Sequence, residues 1–533
     1  MSLPNMVYSD KIRKRSQEAF GGYNHNLSAM DGEIYDMAGM TSDYYPILAS
    51  RAARYLLRTL PAQKEPCGYY ALDGELWACG SELFADGKKI ADVSNSQKVF
   101  ATLGMYTVIL PDKVYYNRLT GECGRIEAEA SGAAYFENGT YAGEDAKANT
   151  LRMKGENFSK LFKVGDAVEI SGCTIHAENN KTPIIREIDG NKLRFYENAF
   201  VISAGGDHEE SIVVKRKMPD MDFLCESDNR LWGCKGNTVY ASKLGDIFNW
   251  NVFDGLSTDS YACDVGSAGS FTGCFTYLGY PCFFKENYIY KVYGDKPSNF
   301  QLVGSATLGV SKGSSRSFAV AGEVLYYLSP SGICAYTGGI PQSIAAPFGM
   351  SRFRNAVGGS DGRKYYVSME DENGVWSLFL YDTEKRIWIR EEEHLQVLYF
   401  GSERELTFLD TGGRIWLYPN AADVPEDAEK EDVSKLCSFV EFGDYIYSSP
   451  DKKGISKLQV RLEAQEGSTV TVFIRYDSSG DWEEVKALQA EKKQSFYLPI
   501  IPRRCDHFRL KFKAVGPWKL YSLSAEVYAG SAL

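Results

Sequence analysis

Residues 373–392 read NGVWSLFLYDTEKRIWIREE. From Trp376 to Tyr381 the run is largely apolar and aromatic, which suits a pleated, half-buried strand. A polar turn, Asp382 to Lys385, follows, and a second run from Arg386 to Arg390 returns with Trp388 at its centre. Two such runs about a short polar turn predict an antiparallel hairpin.

Similar units lie on both sides. They are DGELWACGSELFADGKKI from Asp73, DKVYYNRLTGECGRI from Asp112, DNRLWGCKGNTVYASKL from Asp228, KENYIYKVYG from Lys285, SPSGICAYTGG from Ser329 and TGGRIWLYPN from Thr411. The first two begin 39 residues apart, and the last four, counting the opening stretch, are spaced by 44, 44 and 38. A period of about 40–50 residues of all-β units is the repeat length of β-propeller blades. One blade cannot bury both faces of its sheet, so the spacing predicts six or seven blades closed into a ring over 61–125 and 215–420.

The interval from Asp112 to Asp228 is too long for one blade, so 126–214 reads as an inserted domain. Within it, LFKVGDAVEISGC places Val168 and Ile170 on one strand face after the Gly165-Asp166 turn, and TPIIREIDGNKLRF is a hairpin with a type I′ turn signal at Asp189-Gly190. A small β-barrel carried on a blade loop is expected, since loops accept insertions at little cost. Residues 421–435 hold six carboxylates between Asp423 and Asp432 and read as a solvated acidic linker. Beyond it, Leu458, Val460, Leu462 and Ala464 alternate with Lys457, Gln459, Arg461 and Glu463. Phe508, Leu510 and Phe512, and then Tyr521, Leu523, Ala525 and Val527, repeat the pattern, predicting a β-sandwich or jelly roll over 436–533.

Composition agrees with an all-β globular chain. Of 533 residues 44% are hydrophobic and 13% aromatic, too apolar for a disordered chain. The formal net charge of −11 opposes binding to nucleic acid or an anionic membrane except through a local basic patch. The start of the chain lacks the apolar core of an export signal, and no run reaches the length of a membrane span, so synthesis in a cytosol is expected. Twelve cysteines show no two-residue spacing, and five histidines stand apart, so no metal site assembles from neighbouring residues.

The search for chemistry returns hairpin turns. DSSGDW, SMEDENGVW and ALDGELW lack the full Ser-x-Asp-x-Gly-x-x-Trp turn of sialidase-like propellers. Glu370, Asp371 and Glu372 sit together in a turn, where nothing splits their pKa values. EEEH, from Glu391 to His394, reads as a solvated strand edge. GGSDG places Ser360 at a formal nucleophile position, yet the following RKYYVSM is a strand where the elbow needs a helix. The residues supply no convincing active site and no metal centre assembled from neighbours.

Basic residues concentrate near the N-terminus: Lys11, Arg13, Lys14 and Arg15, then Arg51, Arg54 and Arg58 within SDYYPILASRAARYLLR. A helix over 46–58 would take Pro46 in its first turn and align the three arginines at i, i+3 and i+7. An extended strand over Asp43–Leu48 is an equal alternative, because residues before proline favour β geometry. The stripe reads as a solvated cationic face, as an arm docking on an acidic partner surface, or as a DNA contact, which the net charge disfavours. These seven basic residues are the candidate subunit contacts, carried on an N-terminal arm and lead-in over 1–60.

Three longer stretches together resemble the β-propeller virion proteins of tailed phages or prophages. AFGGYNHNLSAMDGEIYDMAGMTSDYYPILASRAAR (Ala19 to Arg54) is similar to their opening, with a Gly-Gly-x-Asn segment and a Tyr-Pro-x-Leu string before arginines. NRLWGCKGNTVYASKLGDIFNWNVF (Asn229 to Phe253) resembles one of their blades, and RRCDHFRLKFKAVGPWKLYSLSAEVYAGS (Arg503 to Ser531) their closing strands. The resemblance implies a structural protein of the phage tail, a stabilisation, nozzle or hub protein, without catalysis or cofactor. It implies a homo-oligomeric ring, of hexamer-like symmetry, that extends the DNA channel. It further implies portal, adaptor or other tail proteins as partners, and a place in the virion tail. A tail-tip propeller that binds or cleaves a host surface glycan is the alternative.

Overall fold

The computed structural model describes residues 13–26, 33–61, 64–71, 74–141, 144–196, 198–202, 208–401, 405–447, 452–477, 480–501 and 503–529. Among them are forty-seven strands and six single-turn 3-10 segments. No helix there is long and apolar enough to cross a membrane. The chain divides into two compact units, Met1–Glu65 with Arg316–Leu533, and Pro66–Ser315.

In the Pro66–Ser315 unit, four antiparallel sheets of four strands each follow one another along 66–92, 99–125, 223–264 and 273–306. Each is a simple meander, the pattern that short polar turns between aromatic runs dictate. Consecutive sheets share apolar cores. Ala78, Leu83, Ile109 and Val114 join the first two; Val108, Leu110, Leu231 and Trp250 join the next pair; Trp232, Cys234, Phe283 and Val292 join the last pair.

Between the second and third of these sheets lies a separate six-stranded sheet with its own core, including Phe158, Ile170, Leu193 and Val214. Its entry strand, Ala128–Gly139, pairs directly with its exit strand, Glu210–Arg216, so the insertion leaves and rejoins the chain at adjacent points. Its two edge segments also meet: Val168 N donates to Pro183 O at 3.1 Å and Ile185 N to Asp166 O at 2.9 Å. The hairpin expected at Asp189-Gly190 is present, but Asp189 pairs with Lys192, which makes Gly190-Asn191 the two-residue loop. Gly190 takes φ +59°, as the first loop position of a type II′ turn requires.

The other unit contains small sheets along 319–343, 353–393 and 397–417, and two larger sheets. The opening stretch forms the expected hairpin, Trp376–Asp382 against Ile387–Glu393. Five strands come from the N-terminal region: β1 (Arg13–Gln17), β2 (Ile34–Ala38), β3 (Met40–Thr41), β4 (Leu48–Ser50) and β5 (Tyr55–Thr59). β1, β3 and β4 belong to the larger seven-stranded sheet, beside Trp518–Ala529 and Lys453–Ala464. β2 is the edge of the five-stranded sheet, paired to Cys437–Phe442. β5 completes the 397–417 sheet by pairing with Arg414–Leu417.

The two larger sheets share one core, with Leu458, Val460 and Leu520 facing Val472, Leu510 and Phe512. The alternation read from the sequence holds here with one exception. Tyr521 is not buried, because a register shift between Arg461 and Leu462 turns it outward, where its hydroxyl donates to Glu463 at 2.7 Å.

The N-terminal region is therefore no free arm. A turn occupies 43–46, and 51–54 is irregular, so neither the helix over 46–58 nor the strand over Asp43–Leu48 forms. The backbone of this region runs along the outer edge of Ile387–Glu393: Tyr23 N donates to Trp388 O at 2.6 Å and Gly39 N to Glu391 O at 2.9 Å. Gly22 lies so close that a Cβ there would sit 2.6 Å from Trp388 O and 2.8 Å from Ile387 Cβ. Gly22→Ala is accordingly expected to destabilise the protein by about 1–3 kcal/mol, the cost of overpacking a tight contact, measured by urea denaturation.

Candidate functional site

The basic residues singled out in the sequence separate into three environments. Arg51 and Arg54 are buried, at 7% and 4% exposure. Arg51 pairs with Glu392 at 2.5 Å and with Glu431 at 2.7 Å. Arg54 pairs with Glu391 at 2.5 Å, and its guanidinium lies 5.2 Å from the Phe408 ring centroid and 5.5 Å from that of Tyr418. Tyr418 donates its hydroxyl to the second oxygen of Glu391 at 3.1 Å. Each guanidinium thus finds its carboxylates within this chain, and the reading of Arg51 and Arg54 as a stripe open to a neighbouring subunit is corrected. Arg58 sits in β5 opposite Ile415, on an exposed part of the strand.

The acidic partners also differ from expectation. Glu391, read as part of a solvated edge, is 4% exposed. It is the extra residue of a β-bulge, since Leu378 pairs with Glu392 and Phe379 with Arg390. A bulge turns a side chain away from the strand's alternation, here into the interior toward Arg54. Within the segment read as a linker, Glu429–Lys430 pairs with β5 and Glu431 accepts from Arg51.

Beside this network, Arg390 holds Asp36 at 2.6 Å and donates to Met37 O at 2.6 Å. Burial drives the Asp36 carboxyl above its ordinary pKa, against the opposing pull of Arg390. Ser360 lies in a strand end followed by another strand, and its hydroxyl accepts from Gly362 N at 2.9 Å, as a hairpin turn needs.

The third environment is β1. Lys11 lies outside the described residues. Arg13 opens the strand opposite Val527, and Lys14 and Arg15 are exposed opposite Glu526 and Ala525. Among the described residues β1 pairs with one strand, Trp518–Ala529, and so stands at an edge of its sheet. Beneath it lies a cleft of about 400 Å³ lined by Arg15, Gln17, Glu18, Tyr445 and Tyr447. Tyr445 donates to Gln17 Oε1 at 3.0 Å and stacks on Phe508 at 5.2 Å. A strand at a sheet edge beside a cleft with a guanidinium, a carboxylate and two phenols can accept a polar ligand. Sequence reasoning found Arg15 but missed the tyrosines, which stand more than 400 residues away along the chain.

A second fixed point lies at the base of the inserted sheet. Arg216, 5% exposed, pairs with Asp166 and donates to Ile126 O at 2.9 Å. Asn249, in the GDIFNWN turn, accepts from Ala167 N at 2.8 Å and donates to Asp166 at 3.2 Å and Asp246 at 2.6 Å. That turn therefore locks the insertion onto the 223–264 sheet.

No protein-family model matches the chain, and no curated protein matches it. Solved structures similar to it include Hsv2 of Kluyveromyces lactis, at 8% identity and TM-score 0.31, over 71% of this chain and 93% of that one. An exo-β-1,3-galactanase from Phanerochaete chrysosporium, solved with β-1,3-galactotriose, is similar at 8% identity and TM-score 0.22, over 57% and 94% of the two chains. Raptor of Chaetomium thermophilum is similar at 12% identity and TM-score 0.29, over 60% and 28%. At these scores the likenesses carry neither substrate nor mechanism to this chain. The expectation that the chain is not an enzyme is corrected to this extent: the similar structures include an exo-β-1,3-galactanase and a bifunctional GH43-CE protein of Bacteroides eggerthii.

The buried ion pairs make two tests. Removing one partner of a buried pair strands the other charge, so Arg54→Ala is expected to cost about 3–5 kcal/mol of stability by urea denaturation. Burial raises the pKa of the Glu431 carboxyl, but hydrogen bonding and charge from Arg51 outweigh it and leave the group below its ordinary 4.5. A carboxylate with a lower pKa folded than unfolded stabilises above the unfolded value and loses that stability as pH falls. Glu431→Gln should be less stable than the parent at pH 7, and the difference should shrink as pH drops below 4.5.

Proposed function

We propose that this chain is a structural protein of a tailed-phage or prophage tail, placed at the neck, nozzle or hub, whose copies assemble as a ring around the DNA channel. In this reading the seven small sheets are the blades of one β-propeller, with β5 closing the last blade. The inserted sheet is a small β-barrel, and the two larger sheets are a β-sandwich.

One observation supports the reading most directly. Two of the stretches that resemble phage virion proteins, Ala19 to Arg54 and Arg503 to Ser531, lie at opposite ends of the chain yet build the same pair of sheets. β4 pairs with Leu520 and Lys519, while β2 and Phe508–Val515 flank the same strand, Cys437–Phe442. Segments that fold together are expected to be inherited together.

The candidate contacts that are exposed are Lys14 and Arg15 on β1 and Arg58 on β5, and the first two share one strand edge. Two β1 strands from different copies would repel through Lys14 and Arg15, which disfavours edge-to-edge self-pairing. A basic edge of this kind favours a different, acidic surface on the next copy, a head-to-tail contact that closes into a ring when its rotation allows. Exposed Asp423, Glu426, Asp427 and Glu429 offer such a surface.

Mass photometry of the purified protein is expected to show a closed multiple of the 59.5 kDa chain. Lys14→Glu with Arg15→Glu should reduce it to monomers without moving the thermal midpoint. A parent protein that stays monomeric at all concentrations, and is missing from purified virions, would contradict the reading.

A further inference from the structure

The inserted sheet carries an exposed cluster that the tail reading does not use. Tyr141 and Tyr196 are 39% and 54% exposed. The Arg186 guanidinium lies between them, 3.8 Å from the Tyr141 ring centroid and 5.5 Å from that of Tyr196. Glu144 fixes that guanidinium with two parallel hydrogen bonds, at 2.9 and 3.1 Å. The backbone is shaped for this arrangement. Ile185 pairs with Phe195 and Glu187 with Arg194, which leaves Arg186 as the unpaired residue of a β-bulge. Bulges re-aim side chains, and this one presents Arg186 to the two rings.

Two large rings at the surface, each against the Arg186 guanidinium, lose little further entropy when something stacks on them, which suits them to a ligand. The chemistry of the cluster narrows what that ligand is. Arg186 occupies the space between the two rings, so a further cation gains nothing there and a guest meets the remaining exposed surface of the rings. An anionic guest finds the Arg186 guanidinium already engaged by the Glu144 carboxylate through both of its terminal nitrogens. Nucleic acid would need cations for its phosphates, and the neighbouring Lys192 and Arg194 are held by Glu137 and Glu187 at 2.8 and 2.6 Å. The remaining match is a neutral ring with one apolar face and a rim of hydroxyls. The apolar face stacks on tyrosine, while the Arg186–Glu144 pair supplies donors and acceptors at the rim.

We propose that Tyr141, Arg186, Glu144 and Tyr196 form a binding site for a neutral pyranose of a carbohydrate chain. The site lies wholly within one chain and does not depend on ring assembly. A single stacked sugar binds weakly, with a dissociation constant on the order of 1 mM, and copies presented together would gain by avidity.

Saturation-transfer-difference NMR on the full chain, with maltotriose, mannotriose and chitotriose as probes, tests the site. At least one trisaccharide should show transfer concentrated on the ring protons of one sugar. Tyr196→Ala and Tyr141→Ala should each weaken binding about ten-fold, the loss of one stacking contact. Tyr196→Phe should retain it, because stacking needs the ring and not the hydroxyl. Tyr280→Ala, at an exposed tyrosine pair elsewhere, should leave binding unchanged, and all four variants should keep the parent melting temperature. Absence of transfer from all three sugars overturns the proposal, as does transfer unaffected by both alanine variants. Because the measurement reads one chain, an assembly defect cannot produce either result.

Discussion

The edge of the strand Ile387–Glu393 is the constraint on which its compact unit depends. An uncovered edge strand exposes a row of unpaired donors and acceptors and invites pairing with other chains. Here the N-terminal segment covers it, through backbone bonds to Trp388 and Glu391, and the buried Arg54–Glu391 pair fixes the segment against it. A buried ion pair seldom adds net stability over apolar residues of the same size, but breaking one is costly. Its value lies in specificity, because an arrangement that buries Arg54 or Glu391 without the other is costly. From that fixed point β2, β3 and β4 extend into the two larger sheets and β5 into the sheet along 397–417, so one clasp ties the three together.

The parts of the fold legible in the sequence are those in which one residue's environment is set by near neighbours. The 373–392 hairpin and the alternation through Lys453–Ala464 follow from local period and turn chemistry, whereas the turn expected at Asp189-Gly190 falls one residue later, at Gly190-Asn191, and is of type II′. The arginines are illegible for the opposite reason. The i, i+3, i+7 spacing of Arg51, Arg54 and Arg58 suits a helix, but the groups that fix Arg51 and Arg54 include Glu391 and Glu392, about 340 residues away. A local window cannot contain such a partner, and burial with a carboxylate outweighs a weak helical preference.

β-Bulges hide a second set of positions from a local reading. A run such as Arg390-Glu391-Glu392-Glu393 in a strand cannot point every charge to solvent, because alternate residues face opposite sides. That signal was present and would have sent one glutamate inward. Which one depends on the bulge at Glu391, and a bulge is set by pairing across the sheet. The same device aims Arg186 between Tyr141 and Tyr196. In both places the chain carries a charged side chain to a position that a regular ladder would deny it, once to lock the fold and once to present a surface.

The central claim is that residues 34–59 are part of the folded unit and not an arm awaiting a partner. Amide hydrogen exchange on the isolated monomer reads this directly. The account predicts that the amides of Gly39 and Arg51, bonded to Glu391 O and Gly39 O, and those of β5 exchange as slowly as amides of the Lys453–Ala464 strand. Exchange of 34–59 within seconds in a monomer whose C-terminal sheets remain protected would contradict it.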